Sequence, residues 1–271
     1  MAPIGIDEHD TGVRVDMDAA HLAFTAPIEN ATTMDMFEFF SRWTGLEGKR
    51  CLCIGFDADQ LRELVLKYRP AEVKLLTLWA EHKDAAVEGF EVVVGDITQR
   101  TGFEDGSFDA VVTLSLLEHV SDLDAAFKEI DRLLKPGGYF SSLFGPSWSC
   151  HIGHHLYSDG DNPLYNFWLR GMPAHMHLLC SREEVLDWYL SQGATEDQAR
   201  VVQHWMFDTD IINRRFFDDY LALFSTYFQM VGSEYMYAPL DRKTLGLLRE
   251  RFPDRRDFTT YGGKFLLRKY A

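Results

Sequence analysis

Histidines are the residues of this chain best suited to acid-base chemistry, and half of them are clustered. Ten are present, and five lie close together: His151, His154, His155, His175 and His177. Imidazole changes charge near neutral pH, so it can remove or deliver a proton. His154 and His155 are the first candidates for a general base, followed by His151. The alternative is a structural role, since histidines among aromatic residues also donate to backbone carbonyls.

The same cluster offers ligands for a metal ion. Cys150-His151-Ile-Gly-His154-His155 has short spacing, and Asp159 and Asp161 follow closely. Zn²⁺ or Fe²⁺ would accept two or three neutral imidazoles with a carboxylate. The chain has no carboxylate-plus-histidine signature of a known metalloenzyme class. A divalent metal ion is therefore one candidate cofactor, beside the acid-base and structural interpretations.

Short apolar runs alternate with amphipathic stretches through the part of the chain that precedes the cluster. Strands are predicted at 50–55, 73–79, 90–94, 108–114 and 139–144, and helices at 33–43, 59–68 and 121–134, the last with Ser121 as N-cap. This alternation predicts a parallel sheet covered on both faces. Ligands of such sheets bind beyond the carboxyl ends of the strands, which is where the histidines follow the fifth strand.

The pattern changes after residue 146. Residues 147–205 are rich in His, Trp and Tyr, and we expect them to form a lid over the crevice, with Trp148, Tyr157, Tyr165, Phe167 and Trp168 as walls. The predicted division is an N-terminal arm and helix (1–45), a core (46–146), the lid (147–205) and a C-terminal part (206–271). Further elements are predicted as a strand at 199–206, a helix at 210–231, a helix at 244–252 and a last strand at 263–268.

The amino-acid composition disfavours some classes of binding partner. Hydrophobic residues make up 46% and charged residues 25% of the 271 residues, as in globular proteins. The formal net charge of −15 disfavours nucleic acid and anionic membrane surfaces. Four cysteines do not make a disulfide framework, and residues 1–10 lack the pattern of a signal peptide. We expect a cytoplasmic protein with a small-molecule substrate, and a homodimer or heterodimer is compatible with the sequence.

Residues 103–142 carry a known combination of motifs. They contain Phe108-Asp109 in a strand, Leu117-Glu-His-Val120, Glu129 and Arg132 on the next helix, and Leu134-Lys-Pro-Gly-Gly138. This combination resembles the class I S-adenosylmethionine-dependent methyltransferases of the small-molecule type. The resemblance covers residues 46–146 well and 245–271 loosely. It implies an α/β fold with a doubly wound, mostly parallel seven-stranded sheet.

The cofactor loop departs from the pattern of that family. The family has an acidic residue and then Gly-x-Gly-x-Gly after its first strand, whereas this chain has Cys53, Gly55, Asp57 and Asp59. The acidic residue expected after the second strand is replaced by Leu78 or Trp79, with Glu81 nearby. By contrast, Asp96 matches the contact to the adenine amino group. The cofactor-binding residues implied by the resemblance are Gly55, Asp57, Asp96, Ile97 and Leu114, and His119 would lie beside the cofactor.

The leading hypothesis is methyl transfer from S-adenosylmethionine to a small molecule in specialised metabolism. A lid histidine would act as the base, and His119 is a further catalytic candidate. The alternative is a methyltransferase-like fold that no longer methylates. Such a protein would catalyse a cyclisation or an elimination with the same histidines, or serve as a binding subunit in a hetero-oligomer.

Overall fold

The computed structural model describes residues 33–79, 90–169 and 171–270. Most of the predicted N-terminal arm and Glu81 lie outside these ranges. In the described part of the chain, no helix is long and apolar enough to cross a bilayer.

The centre of the molecule is a sheet of seven strands. They are β1 Arg50–Ile54, β2 Glu72–Thr77, β3 Glu91–Val94, β4 Phe108–Leu114, β5 Leu134–Phe144, β6 Phe228–Tyr237 and β7 Thr260–Lys269. Their order is β3-β2-β1-β4-β5-β7-β6. β1 to β5 are parallel, and β7 runs antiparallel to both β5 and β6. The predicted fold class is therefore confirmed.

Helices cover the sheet and extend beyond it. They are α1 Thr33–Trp43, α2 Ala58–Tyr68, α3 Leu123–Leu133, α4 Met176–Leu179, α5 Arg182–Ser191, α6 Glu196–Phe207, α7 Phe217–Tyr227 and α8 Arg242–Arg251. A 3₁₀ turn, Leu117–His119, follows β4. The chain winds from β1 toward β3 on one side and from β4 toward β5 on the other. The adjacent ends of β1 and β4 are thus the point at which such sheets bind ligands.

β4 shows how the sheet divides the core into two layers. Val111 joins one apolar cluster, whereas Ala110 and Val112 join the cluster on the opposite face. Successive side chains of a strand point to opposite faces, so a strand buried on both sides is apolar at every position. This explains why the apolar run at 108–114 could be recognised from the sequence.

A third apolar cluster lies in the predicted lid. Trp148, Tyr189 and Val202 pack there with Leu248 and Tyr261 from the C-terminal part of the chain. Among the aromatic residues expected to wall a pocket, Trp148, Tyr165 and Phe167 are buried in this cluster, and Tyr157 and Trp168 remain partly exposed. The segment is therefore a packed layer that shares its core with the C-terminal part of the chain.

Two predicted elements were wrong. Residues 199–206 lie in helix α6, where Ala199, Val202 and Met206 form its buried stripe. The predicted helix at 210–231 is instead α7 followed by β6, because the chain leaves the helix at Phe228 to pair with β7. The predicted N-cap of α3 was also wrong, since Asp122 rather than Ser121 accepts the hydrogen bond from the Ala125 N–H.

Candidate active site

Gly55 lies where β1 turns toward α2, against the end of β4. Its φ is +86°, a left-handed conformation that glycine adopts without strain. A Cβ atom at this position would lie 2.2 Å from the carbonyl oxygen of Leu114. The position therefore requires glycine for its conformation and for the close approach of the two strand ends, as expected of a cofactor loop.

Asp57 begins helix α2. One carboxylate oxygen accepts the Gln60 N–H at 2.8 Å, and the Gln60 side chain accepts the Asp57 N–H at 3.0 Å. This capping box satisfies backbone donors at the start of the helix. Asp59, nearby, pairs with Arg62 at 2.6 Å. The carboxylate of Asp57 is thus occupied in capping, which explains its presence without a cofactor contact.

Asp96 follows β3 at the same edge. One oxygen, Oδ1, accepts hydrogen bonds from the N–H and the hydroxyl of Thr98, both at 2.8 Å. These bonds hold the carboxyl group in one orientation, and the described residues donate no hydrogen bond to Oδ2. Ile97 is buried in the core below. Beyond β2, the side chains of Leu78 and Trp79 are exposed at the corresponding strand end.

Glu118 is the residue of this edge that sequence reasoning did not select. It lies in the turn after β4, its exposed fraction is 1%, and Oε1 accepts the Gly145 N–H at 3.1 Å. Burial raises the pKa of Glu118 to about 8. The signal that could have revealed it is a carboxylate placed between apolar positions in Leu116-Leu117-Glu118-His119-Val120.

His119 and His155 meet beside Glu118. The two rings lie 5.5 Å apart between centroids. His119 is exposed, whereas burial lowers the pKa of His155 to about 3. The predicted catalytic candidates His119 and His155 are therefore neighbours, although they are 36 positions apart in the chain.

The other clustered histidines lie within the core of the lid. Nδ1 of His154 accepts the Leu156 N–H at 3.0 Å, and its ring faces that of His177. His175 donates to the carbonyl of Phe258 at 3.0 Å, and His177 donates to that of Trp148 at 2.7 Å. Burial lowers the pKa of His154 to about 3. These contacts of His154, His175 and His177 are of the kind expected if the histidines have a structural role.

The metal ligands predicted from the sequence do not converge as a set. In the described ranges, the group whose ligand atoms all lie within 4.8 Å of one another is Glu118, His119 and His155. His151 and His154 are not part of it, since His151 packs beside His175 and Tyr261. The grouping of ligand atoms therefore does not support a site made by His151, His154 and His155.

Residues 51–142 match a protein family described as a methyltransferase domain. This match agrees with the resemblance of residues 103–142 to the class I S-adenosylmethionine-dependent methyltransferases. The match contains Gly55, Asp96 and the turn with Glu118.

Curated relatives resemble the chain over part of its length. A ubiquinone biosynthesis O-methyltransferase of Alkalilimnicola ehrlichii is 33% identical over 111 residues, 36% of this chain and 43% of that protein. The sterol 24-C-methyltransferase erg6 of Aspergillus fumigatus is 32% identical over 104 residues, 35% of this chain and 27% of that protein. The chain thus spans less than half the length of these relatives.

Solved structures share the fold of most of the chain. One is a protein of Galdieria sulphuraria that was assigned by similarity as a sarcosine dimethylglycine methyltransferase. It has a TM-score of 0.51 at 14% identity, covering 88% of this chain and 85% of that one. An S-adenosylmethionine-dependent methyltransferase of Mesorhizobium loti gives 0.52 at 16% identity, covering 88% and 99%. At such identities the likeness concerns the fold.

Proposed function

We propose that this protein transfers a methyl group from S-adenosylmethionine to a small molecule. The single observation that carries the proposal is Gly55, whose missing side chain and left-handed backbone leave the ends of β1 and β4 in close approach. Membership of residues 51–142 in the methyltransferase domain family supports the same conclusion. The relatives named above are a ubiquinone biosynthesis O-methyltransferase and a sterol 24-C-methyltransferase, which supports a small-molecule acceptor.

The residues at the edge fit the cofactor in part. Asp96, held by Thr98, would accept a hydrogen bond from the adenine amino group through Oδ2, and Gly55 would let the backbone approach the methionine end. The described residues include no acidic side chain directly at the end of β2, where the exposed Leu78 and Trp79 stand.

The reaction would depend mainly on position. When bound, S-adenosylmethionine supplies an electrophilic methyl group on its sulfonium. The chain would align an acceptor with it and exclude water beneath the lid, and alignment of this kind accounts for much of the rate enhancement of bimolecular reactions.

Among the lid histidines, His155 is the one that we propose to act on the acceptor. It faces His119 across the end of β4, whereas His154 faces His177 inside the lid. Its lowered pKa keeps the imidazole neutral at neutral pH, and this form can accept a proton. A base with so low a pKa is weak, so we expect an acceptor whose own proton is acidic.

Isothermal titration of the full chain with S-adenosylmethionine and S-adenosylhomocysteine tests the proposal. The sharpest variant is Asp96→Asn, in which the amide oxygen can still accept from Thr98 while a donor replaces the acceptor Oδ2. We expect affinity to fall by roughly tenfold to a hundredfold, as for a lost buried hydrogen bond. Asp197→Asn, on the exposed start of α6, is the matched control and should bind like the parent.

Failure of the parent chain to bind either compound would overturn the proposal. It would favour the alternative hypothesis of a methyltransferase-like fold with another activity. Equal affinity of Asp96→Asn and the parent would leave cofactor binding in place and remove Asp96 from the site.

A further inference from the structure

We propose that Glu118, His119 and His155 bind a divalent transition-metal ion. Within residues 33–79, 90–169 and 171–270, these are the three side chains of metal-ligating type whose ligand atoms all lie within 4.8 Å of one another. The group joins two segments that are distant in sequence, the turn after β4 and the start of the lid.

Both imidazoles are held in the tautomer that a metal site needs. Nδ1 of His119 lies 2.8 Å from the carbonyl oxygen of Ile211, and Nδ1 of His155 lies 3.0 Å from that of Gly153. A carbonyl only accepts hydrogen bonds, so each Nδ1 carries the hydrogen and each Nε2 keeps its lone pair. Donation to a backbone carbonyl is the usual way in which proteins orient a metal-binding histidine.

The carboxyl group of Glu118 supplies the second, independent observation. It is 1% exposed, and Oε1 accepts the Gly145 N–H, while Oε2 is buried and has no hydrogen-bond partner among the described residues. Nε2 of His155 is likewise buried without a partner. Buried polar atoms without partners are costly in a protein interior, and a cation shared by Glu118 and His155 would offset that cost.

The backbone around His155 is arranged for this placement. His155 adopts a φ of +49°, which is uncommon for a residue other than glycine. Its carbonyl accepts a hydrogen bond from the indole N–H of Trp205 at 3.0 Å, and its ring packs against Phe167. Such a conformation persists only where surrounding contacts hold it, and it is enriched at functional sites.

The ligand set indicates the class of ion. Two neutral imidazoles and one carboxylate suit Zn²⁺ or Fe²⁺, whereas Mg²⁺ and Ca²⁺ prefer oxygen ligands throughout. Three protein ligands leave at least one coordination position open, as in catalytic rather than structural sites.

A consequence for the reaction rests on the proposed function. Glu118 follows β4 and contacts Gly145 directly after β5, so the ion would lie at the same sheet edge as Gly55. The open position could take an oxygen atom of the acceptor, and coordination would lower the pKa of that oxygen. With the ion bound, the Nε2 lone pair of His155 would be a metal ligand, so coordination of the acceptor would take the place of His155 as the base.

The test is metal binding by the full, untagged chain after removal of metal with a chelator. Zn²⁺ is titrated against a chromophoric chelator, and Co²⁺ is followed by its visible absorption. We expect one ion per chain, and a loss of affinity of at least tenfold in Glu118→Gln and His119→Ala. His204→Ala is the matched control, because its side chain is 70% exposed and outside the ligand group.

Glu118→Gln and His119→Ala distinguish the loss of a metal ligand from the loss of folding. Gln at position 118 can still accept the Gly145 N–H, and His119 is exposed, so circular dichroism should show a folded protein in at least the second case. Parent-like affinity in both variants, or no binding of Zn²⁺ and Co²⁺ at micromolar concentration, would overturn the site. Since no cofactor is added, failure here leaves the proposed methyl transfer standing, and failure to bind S-adenosylmethionine leaves the metal site standing.

Discussion

Gly55 makes the strictest demand on residue type at the cofactor edge. Any side chain there meets the Leu114 carbonyl oxygen, because a Cβ atom would lie 2.2 Å away, and the φ of +86° is strained for other residues. We expect Gly55→Ala to lower the free energy of unfolding by about 1–3 kcal/mol and to weaken cofactor binding. Urea denaturation and calorimetry measure the two effects.

A second glycine provides the control for that substitution. Gly246 lies in helix α8 with open space around its Cα, so Gly246→Ala should be neutral or stabilising by up to about 1 kcal/mol. Equal stability of the two variants would show that the loop relaxes and that the close approach is not required.

His175 couples stability to pH. It is buried, Nε2 donates to the Phe258 carbonyl, and burial lowers its pKa from the usual 6.5 to about 4. Between these values the unfolded chain binds a proton that the folded chain does not, so acidification favours unfolding. Through His175 alone, the free energy of unfolding should fall by about 1.4 kcal/mol for each pH unit between pH 6.5 and 4.

The variant that isolates this effect is His175→Asn. Asparagine tolerates the left-handed conformation of this residue, φ +60°, and does not titrate. The variant is expected to be less stable at neutral pH, but its stability should fall less steeply between pH 6.5 and 4. The free energy of unfolding is measured with denaturant at each pH. The same pH dependence in parent and variant would show that His175 does not couple stability to pH.

At the scale of elements, the turn Leu117–His119 depends on the segment that precedes α7. The amide group of Asn213 donates to the carbonyls of Leu117 and Val120 at 2.6 and 2.9 Å, and its oxygen accepts from the Tyr220 hydroxyl at 2.9 Å. Asn213 thus joins the turn that carries Glu118 to helix α7. It is a positioning residue, since it acts through its neighbours.

We expect Asn213→Ala to cost about 1–3 kcal/mol of stability, because buried partners lose their hydrogen bonds. It should also weaken Zn²⁺ binding although it removes no ligand. Asn162→Ala, which removes a bond to the Leu164 N–H in a partly exposed loop, is the control and should leave metal affinity unchanged. Unchanged affinity in both variants would mean that the turn holds its shape without Asn213.

The elements that sequence reasoning placed correctly are those whose own residues specify them. α2 has its capping box at Asp57 and Gln60, and β4 is apolar at nearly every position. The errors at 199–206 and 210–231 arose where the spacing of apolar residues did not distinguish a helix from a strand. An apolar run that suits a helix also suits a strand, and β6 exists because β7 offers an antiparallel partner.

At the scale of the whole molecule, β7 joins all three apolar clusters. Tyr261 lies in the cluster of the lid, Phe265 and Leu267 in one sheet layer, and Leu266 in the other. The lid therefore shares its core with a strand of the sheet, and its unfolding must expose that strand. This arrangement predicts one cooperative unit.

Denaturation by urea should accordingly give coincident transitions by far-ultraviolet circular dichroism and by fluorescence of the six tryptophans. Leu266→Ala should lower stability by about 2–5 kcal/mol and keep the two transitions coincident. Leu169→Ala is the control, because its side chain is 46% exposed in the lid and should change stability little. Two separated transitions in the parent would show that the lid is an independent unit.

The sequence by itself determined the α/β class, the positions of the first five strands along the chain, the methyltransferase resemblance and the candidates Gly55 and Asp96. These follow from local patterns, since strand burial, glycine conformation and motif spacing are encoded by neighbouring residues. Only the tertiary structure decided which histidines meet. His155 lies beside Glu118 and His119, whereas His154 lies beside His177, because packing in the lid turns adjacent side chains to different partners.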